Sequence, residues 1–125
     1  MGKIAFVFSG QGAQYAGMGR SLYEGSPAAK LLMDELERIR PGTLEQCFTG
    51  SESERNDTRN TQPCIFSVSL AAAAALEEHG ISPEALAGFS LGEVTALTFG
   101  GVFSASDGFS LVTRRGELMV GFTLT

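Results

Sequence analysis

A serine between two glycines is the first candidate for chemistry in this chain. In the run 87–93 (AGFSLGE), Ser90 has Gly88 two residues before it and Gly92 two residues after it. A serine on a tight strand-to-helix turn needs small neighbours at these positions, and such a turn exposes the hydroxyl as a nucleophile. The backbone N–H of Leu91, at the start of the following helix, would then face a developing oxyanion. A glycine-rich turn with a capping serine is the alternative interpretation.

A second glycine-rich segment, Gly10-Gln11-Gly12, follows the first predicted strand. A dinucleotide fingerprint requires a third glycine at position 15, where Tyr15 stands, and no Lys-Ser or Lys-Thr pair follows as in a P-loop. Because parallel strands bring their carboxyl ends to one edge of a sheet, this loop is placed to supply a second oxyanion donor. A simple glycine turn is the alternative.

Arg115 and His79 are the other side chains that suggest chemistry. Arg115 lies on the last predicted helix, on a face that it shares with apolar residues (Leu111, Leu118 and Met119). An arginine there binds an anion, pairs with a buried carboxylate, or extends past the apolar surface into solvent. His79 is the single histidine of the chain and ends a helix before Gly80. A histidine at that point interacts favourably with the helix dipole, so we expect a structural role.

The predicted elements that position these residues alternate between strand and helix. The apolar run Lys3–Ser9 predicts a buried parallel strand, and Ala85–Phe89 predicts a second, short strand. Helices are predicted at 27–40, at 61–80, at 91–99 and after a cap at Ser104 or Ser106. The polar stretch 49–60 is predicted to be a surface loop. This order is typical of an α/β domain with a parallel sheet.

The composition is that of an ordinary folded domain. The chain has 125 residues, 43% of them hydrophobic, and a net charge of −5, which argues against a nucleic-acid partner. Cys47 and Cys64 lack C-x-x-C spacing, so we expect buried free thiols and no metal site. No apolar run reaches the roughly 18 residues of a membrane span, and Ile4–Phe8 is too short for a signal-peptide core. We therefore expect a cytoplasmic protein that has no membrane partner.

Four blocks in this order resemble the malonyl-CoA:acyl carrier protein transacylases of fatty acid synthesis and the related acyltransferase domains of polyketide synthases. The blocks are FVFSGQGAQYAGMG, TQPCIFSVSLAAAAAL, GFSLGEVTAL and GVFSASDGFSLVTRRGELM. The resemblance spans Lys3 to Met119. It implies an α/β-hydrolase-like acyltransferase fold in which a parallel sheet carries the serine on a nucleophile elbow.

The resemblance also implies a role for each matching residue. Ser90 would accept the malonyl group from malonyl-CoA, its substrate, and pass it to the phosphopantetheine thiol of the acyl carrier protein, its partner. The backbone N–H groups of Gln11 and Leu91 would form the oxyanion hole. Arg115, in an Arg-Gly motif, would bind the malonyl carboxylate with both ends of its guanidinium. No permanently bound cofactor is implied.

Two features of the chain depart from the family pattern. Phe89 stands where the family often has histidine, which we expect to tune the site and leave the mechanism unchanged. Family members are also much longer, and their small ferredoxin-like subdomain and catalytic histidine match nothing here. We therefore expect residues 1–125 to be the N-terminal part of an acyltransferase domain, inactive alone. Uncovered edges and the alternating tail Val120–Thr125, which is predicted to be extended, favour self-association.

Two other functions compete with the transacylase. A serine hydrolase or thioesterase would use the same serine turn but would have no need for Arg115 as a carboxylate clamp or for the loop Gly10-Gln11-Gly12 (the glutamine loop). A catalytically idle binding or assembly module would keep the fold and need none of these residues for chemistry.

Overall fold

Residues 2–123, which the computed structural model describes, form one strand followed by five helices and a second strand followed by two. In chain order the elements of these residues are β1 (Ala5–Phe8), α1 (Arg20–Gly25), α2 (Pro27–Ile39), α3 (Thr43–Thr49), α4 (Glu52–Asn56), α5 (Thr58–Glu78), β2 (Ala85–Gly88), α6 (Leu91–Phe99) and α7 (Ala105–Thr123). No helix of these residues combines the length and the apolar character that a membrane span requires.

The two strands pair in parallel, which confirms the predicted α/β class. Ala5 pairs with Ala85 and Phe8 with Gly88, so both strands end at the same edge of the sheet. The segments that carry Gln11 and Ser90 therefore leave the sheet side by side. The prediction of a fully buried first strand is wrong, since Phe6 and Phe8 are buried but Val7 is 77% exposed. The helices of residues 2–123 cover only one face of β1.

The centre of the core lies between α5 and α7. Phe66 on α5 and Phe109 on α7 are both fully buried, with ring centroids 6.0 Å apart. Val112 and Leu91 belong to the same apolar cluster, so the first residue of α6 is anchored in the core. In the alanine-rich part of α5, Ala71, Ala73 and Ala75 are buried, so this stretch of the helix also belongs to the core. These contacts fix the position of α7 relative to the end of β2.

Three predicted elements agree with the structure at or near their bounds. The helix predicted at 91–99 is α6, and the one predicted at 27–40 is α2. Ser26 caps α2 by accepting a hydrogen bond from the N–H of Ala29, and Pro27 occupies its first turn. Ser104 caps α7 by accepting from the N–H of Asp107. The N-terminal ends of α2 and α7 are set by local hydrogen bonds to capping residues, which can be recognised in the sequence.

Two predicted segments are wrong. The stretch 49–60 is helical over much of its length, because Ser51 caps α4 and Asp57 caps α5, which begins at Thr58. The tail predicted to be extended continues α7 as far as Thr123, and residues 124–125 lie outside the described residues. The alternation of apolar residues over so few positions fits a helix end as well as a strand. The apolar face predicted for α7 also differs, since Leu111 and Leu118 are 44% and 48% exposed.

The two cysteines are free and buried, as predicted. Hydrogen bonding with Cys64 and burial together raise the pKa of the Cys47 thiol far above its ordinary value. Cys47 is therefore a neutral, apolar core residue at neutral pH.

The contact of α5 with α7 leads to a first prediction. Phe109→Ala should lower the free energy of unfolding by about 3–5 kcal/mol, because it leaves a cavity against Phe66. Leu111→Ala, on the exposed side of the same helix, should cost less than about 1 kcal/mol. Chemical denaturation of both variants measures the difference. Equal losses would show that α7 is not held through Phe109.

Candidate active site

Ser90 stands on a strained turn between β2 and α6. Its φ of 58° and ψ of −114° make it the one non-glycine residue with positive φ among residues 2–123. Such a conformation costs an L-residue roughly 1–3 kcal/mol and persists only where the surroundings enforce it. The side chain does not cap the helix, and the residue is exposed. The turn therefore presents the hydroxyl outward.

The two glycines that flank Ser90 are required by close backbone approach. A Cβ on Gly88 would lie 2.0 Å from the carbonyl oxygen of Gly92. A Cβ on Gly92 would lie 2.1 Å from the carbonyl oxygen of Phe8 at the end of β1. Both distances are far too short for any side chain. The spacing of serine and glycine therefore reflects a tight strand-to-helix turn, as the sequence predicted, and a plain surface turn is excluded.

The glutamine loop lies against this turn. A Cβ on Gly10 would be 2.7 Å from the carbonyl oxygen of Phe89 and 3.8 Å from the backbone nitrogen of Leu91. The loop is therefore a neighbour of the start of α6, as the parallel sheet predicted. Among the described residues, nothing accepts a hydrogen bond from the backbone N–H of Gln11 or of Leu91. Two neighbouring unpaired N–H groups are the kind of donors that stabilise an oxyanion.

Arg115 reaches Ser90 from α7. Its Nη2 donates a hydrogen bond of 2.9 Å to Ser90 Oγ, so the structure brings together two residues that the sequence selected independently. The adjacent Gly116 permits this approach, because a Cβ there would lie 3.0 Å from the carbonyl oxygen of Thr58. The order Arg-Gly thus has a packing reason: glycine lets α7 lie against the start of α5, and arginine then extends toward the turn.

Gln62 is the residue of the site that the sequence did not single out. Its Oε1 accepts a hydrogen bond of 2.7 Å from Arg115 Nη1, and its Nε2 donates one of 3.1 Å to Gln11 Oε1. Gln11 Nε2 in turn donates to Thr58 Oγ1 at 3.1 Å. Gln62 is only 1% exposed. One buried amide therefore joins the arginine to the glutamine loop.

His79 lies far from this network. It follows α5 at the end opposite to Gln62, and its Nδ1 is 2.9 Å from the carbonyl oxygen of Ala75. His79 lies seventeen positions after Gln62, which corresponds to about 25 Å along a helix at 1.5 Å per residue. The structural role expected for His79 agrees with this position. Among residues 2–123, no group of three or more His, Cys, Asp or Glu is arranged to hold a metal ion.

Comparison with known proteins identifies the family. Residues 5–125 match the family model described as the acyl transferase domain. The chain belongs to this acyltransferase family. A relative, the malonyl CoA-acyl carrier protein transacylase of Bacillus subtilis, is 44% identical over 120 residues, which are 95% of this chain and 38% of that protein. The resemblance noted from the four sequence blocks is thereby confirmed.

Solved structures share the acyltransferase fold of this chain. The acyltransferase domain from the second module of the salinomycin polyketide synthase has 41% sequence identity and a TM-score of 0.89. The match covers 95% of the present chain and 28% of that structure's chain. A malonyl-transacylase in complex with its type II polyketide synthase acyl-carrier protein has 34% sequence identity and a TM-score of 0.87. The match covers 94% of the present chain and 39% of that structure's chain. The present chain spans less than half the length of these relatives.

The close approach at the acyltransferase turn yields a second prediction. Gly92→Ala should destabilise the fold by roughly 1–3 kcal/mol or more, because β1 must move away from α6 to admit the methyl group. Gly25→Ala is the matched control, since a Cβ there meets nothing within 4 Å. Its stability should be unchanged or slightly higher. Thermal unfolding of both variants tests this, and an undisturbed Gly92 variant would refute the tight contact.

Proposed function

We propose that this chain supplies the nucleophile, the oxyanion hole and the carboxylate clamp of a malonyl-CoA:acyl carrier protein transacylase. The observation that carries the proposal is the 2.9 Å hydrogen bond from Arg115 to Ser90 Oγ. A fixed cation beside an exposed, strained serine suits an acyl donor that has its own negative charge. The names of the relatives, transacylases and polyketide synthase acyltransferase domains, support acyl transfer as the reaction class.

The proposed reaction proceeds in two steps through a seryl ester. Ser90 Oγ attacks the thioester carbonyl of malonyl-CoA, the carbon–sulfur bond breaks, and coenzyme A leaves as the thiol with the proton from the serine. The phosphopantetheine thiol of the carrier protein then attacks the ester, and Ser90 recovers a proton. In both steps the carbonyl oxygen becomes an oxyanion, which the N–H groups of Gln11 and Leu91 stabilise.

Arg115 gives the proposed preference for malonyl over acetyl groups. Its two hydrogen-bond partners, Gln62 Oε1 and Ser90 Oγ, are both uncharged. Only one methylene separates the malonyl carboxylate from the ester carbonyl, so the guanidinium beside Oγ is within reach of it. A planar guanidinium binds a carboxylate through two parallel hydrogen bonds. A serine hydrolase has no need of such a clamp, which is why we favour the transacylase.

The described residues provide no general base for Ser90. The partner of its hydroxyl is the guanidinium of Arg115, which cannot accept a proton, and His79 is at the far end of α5. We therefore expect the 125 residues alone to transfer acyl groups far more slowly than a complete serine enzyme, because losing the base costs several orders of magnitude. A cytoplasmic location and an acyl carrier protein as partner complete the proposal, the latter supported by the carrier-protein complex of a structural relative.

Chemical rescue tests the nucleophile. Malonyl-CoA should acylate Ser90 slowly, and added imidazole should accelerate the reaction by acting as the missing base. Peptide mapping by mass spectrometry should locate the ester on Ser90, and Ser90→Ala should abolish it. Ser82→Ala, in the loop between α5 and β2, is the control and should label normally. Labelling of several serines or lysines at similar rates would contradict a specific nucleophile, and fast turnover without imidazole would contradict the missing base.

Paired arginine variants test the clamp. Arg115→Ala should slow malonyl labelling of Ser90 by the equivalent of roughly 2–4 kcal/mol and leave acetyl labelling almost unchanged, since only malonyl offers a charged partner. Arg114→Ala is the control, because Arg114 is exposed and pairs with Glu117 at 3.1 Å. The rates are measured with malonyl-CoA and acetyl-CoA in parallel. An equal loss with both thioesters would make Arg115 a structural residue.

A further inference from the structure

We infer that Gln62 is a positioning residue that determines selectivity for a carboxylate. It holds Arg115 in place and leaves the charge of Arg115 uncompensated. This inference rests on the proposed function, because it concerns how the clamp is kept ready for a negatively charged acyl group. Gln62 does not touch the reacting atoms in this arrangement and acts through Arg115 and Gln11.

The two neighbouring arginines of α7 show the difference. Arg114 is exposed and forms an ion pair with Glu117. Arg115 is half-buried, and none of the ion pairs among the described residues includes it. Its guanidinium is held by an amide oxygen at 2.7 Å and a hydroxyl oxygen at 2.9 Å. A neutral acceptor fixes the direction of an arginine without neutralising it, and so preserves its attraction for an anion.

The amide of Gln62 is fixed at both ends. Its oxygen faces the donor of Arg115, and its nitrogen faces Gln11 Oε1 at 3.1 Å. Because Gln62 is 1% exposed, an unmet amide group would be costly there, and the two hydrogen bonds therefore set its orientation. The same side chain ties the glutamine loop, which carries one proposed oxyanion donor, to the arginine. Gln62 thus fixes the position of the Arg115 guanidinium relative to the glutamine loop.

A glutamate at this position would have nearly the same shape and the opposite effect. Its carboxylate would pair with Arg115 at the distance now taken by the amide oxygen, and the pair would compete with an incoming malonyl carboxylate. The side-chain amide of Gln11 can turn over to donate to the new carboxylate and accept from the hydroxyl of Thr58. The substitution is therefore compatible with the local hydrogen bonds.

The test compares Gln62→Glu and Gln62→Met with the unaltered chain in the imidazole-assisted labelling of Ser90. The ratio of malonyl to acetyl labelling rates should fall by about 10-fold or more in the Glu variant. It should fall less in the Met variant, where Arg115 keeps its free charge but loses its anchor. Thermal unfolding should show that both variants are folded.

Each other outcome overturns the inference. If both variants slow the two thioesters equally, Gln62 is only structural. If the Glu variant keeps the ratio of the unaltered chain, its charge does not reach the clamp, and the inference fails while the proposed function stands. If the unaltered chain does not distinguish malonyl from acetyl, or Arg115→Ala leaves the ratio unchanged, the proposed function fails and the inference fails with it.

Discussion

The hydrogen bond between Arg115 and Gln62 joins α7 to α5 through two residues that lie 53 positions apart in the chain. It forms only because α7 is packed on α5 through Phe66 and Phe109 and because Gly116 lets the backbones approach. The same arginine then donates to Ser90, and the same glutamine donates to Gln11. The arrangement of Ser90, Arg115 and the glutamine loop therefore depends on the packing of one pair of helices, α5 and α7. Without that packing, the hydrogen bonds that join the three motifs would not form.

A second constraint acts on the backbone at the end of the sheet. Parallel pairing brings the end of β1 and the end of β2 together, and the contact of Gly92 with the carbonyl of Phe8 leaves no room for a side chain. The turn is held so tightly that Ser90 keeps a positive φ. The strain is offset by the buried side chain of Leu91, which anchors the first turn of α6 in the core. Rigid backbone and anchored arginine together give the site a fixed geometry.

The sequence predicts the local features of this site well. Ser90 with its two glycines, the bounds of α6 and the cap of α7 by Ser104 all depend on short-range backbone requirements, which particular residue types satisfy. Gln62 could not be predicted in this way, because its role depends on which residues of α7 face it. The available signal was a single amide at the head of an otherwise apolar stretch, Pro63–Phe66. The helix α4 and the end of α7 were missed because their patterns are short, so that capping and packing decide the outcome.

In the proposed reaction, Arg115, held beside Ser90 by a neutral partner, receives the carboxylate of the acyl group. A crystal structure of the chain with bound malonyl-CoA measures this most directly. We expect the malonyl carboxylate within hydrogen-bond distance of the Arg115 guanidinium and the thioester oxygen near the N–H groups of Gln11 and Leu91. A carboxylate directed into solvent or toward another cation, with Arg115 still bound only to Gln62 and Ser90, would contradict it.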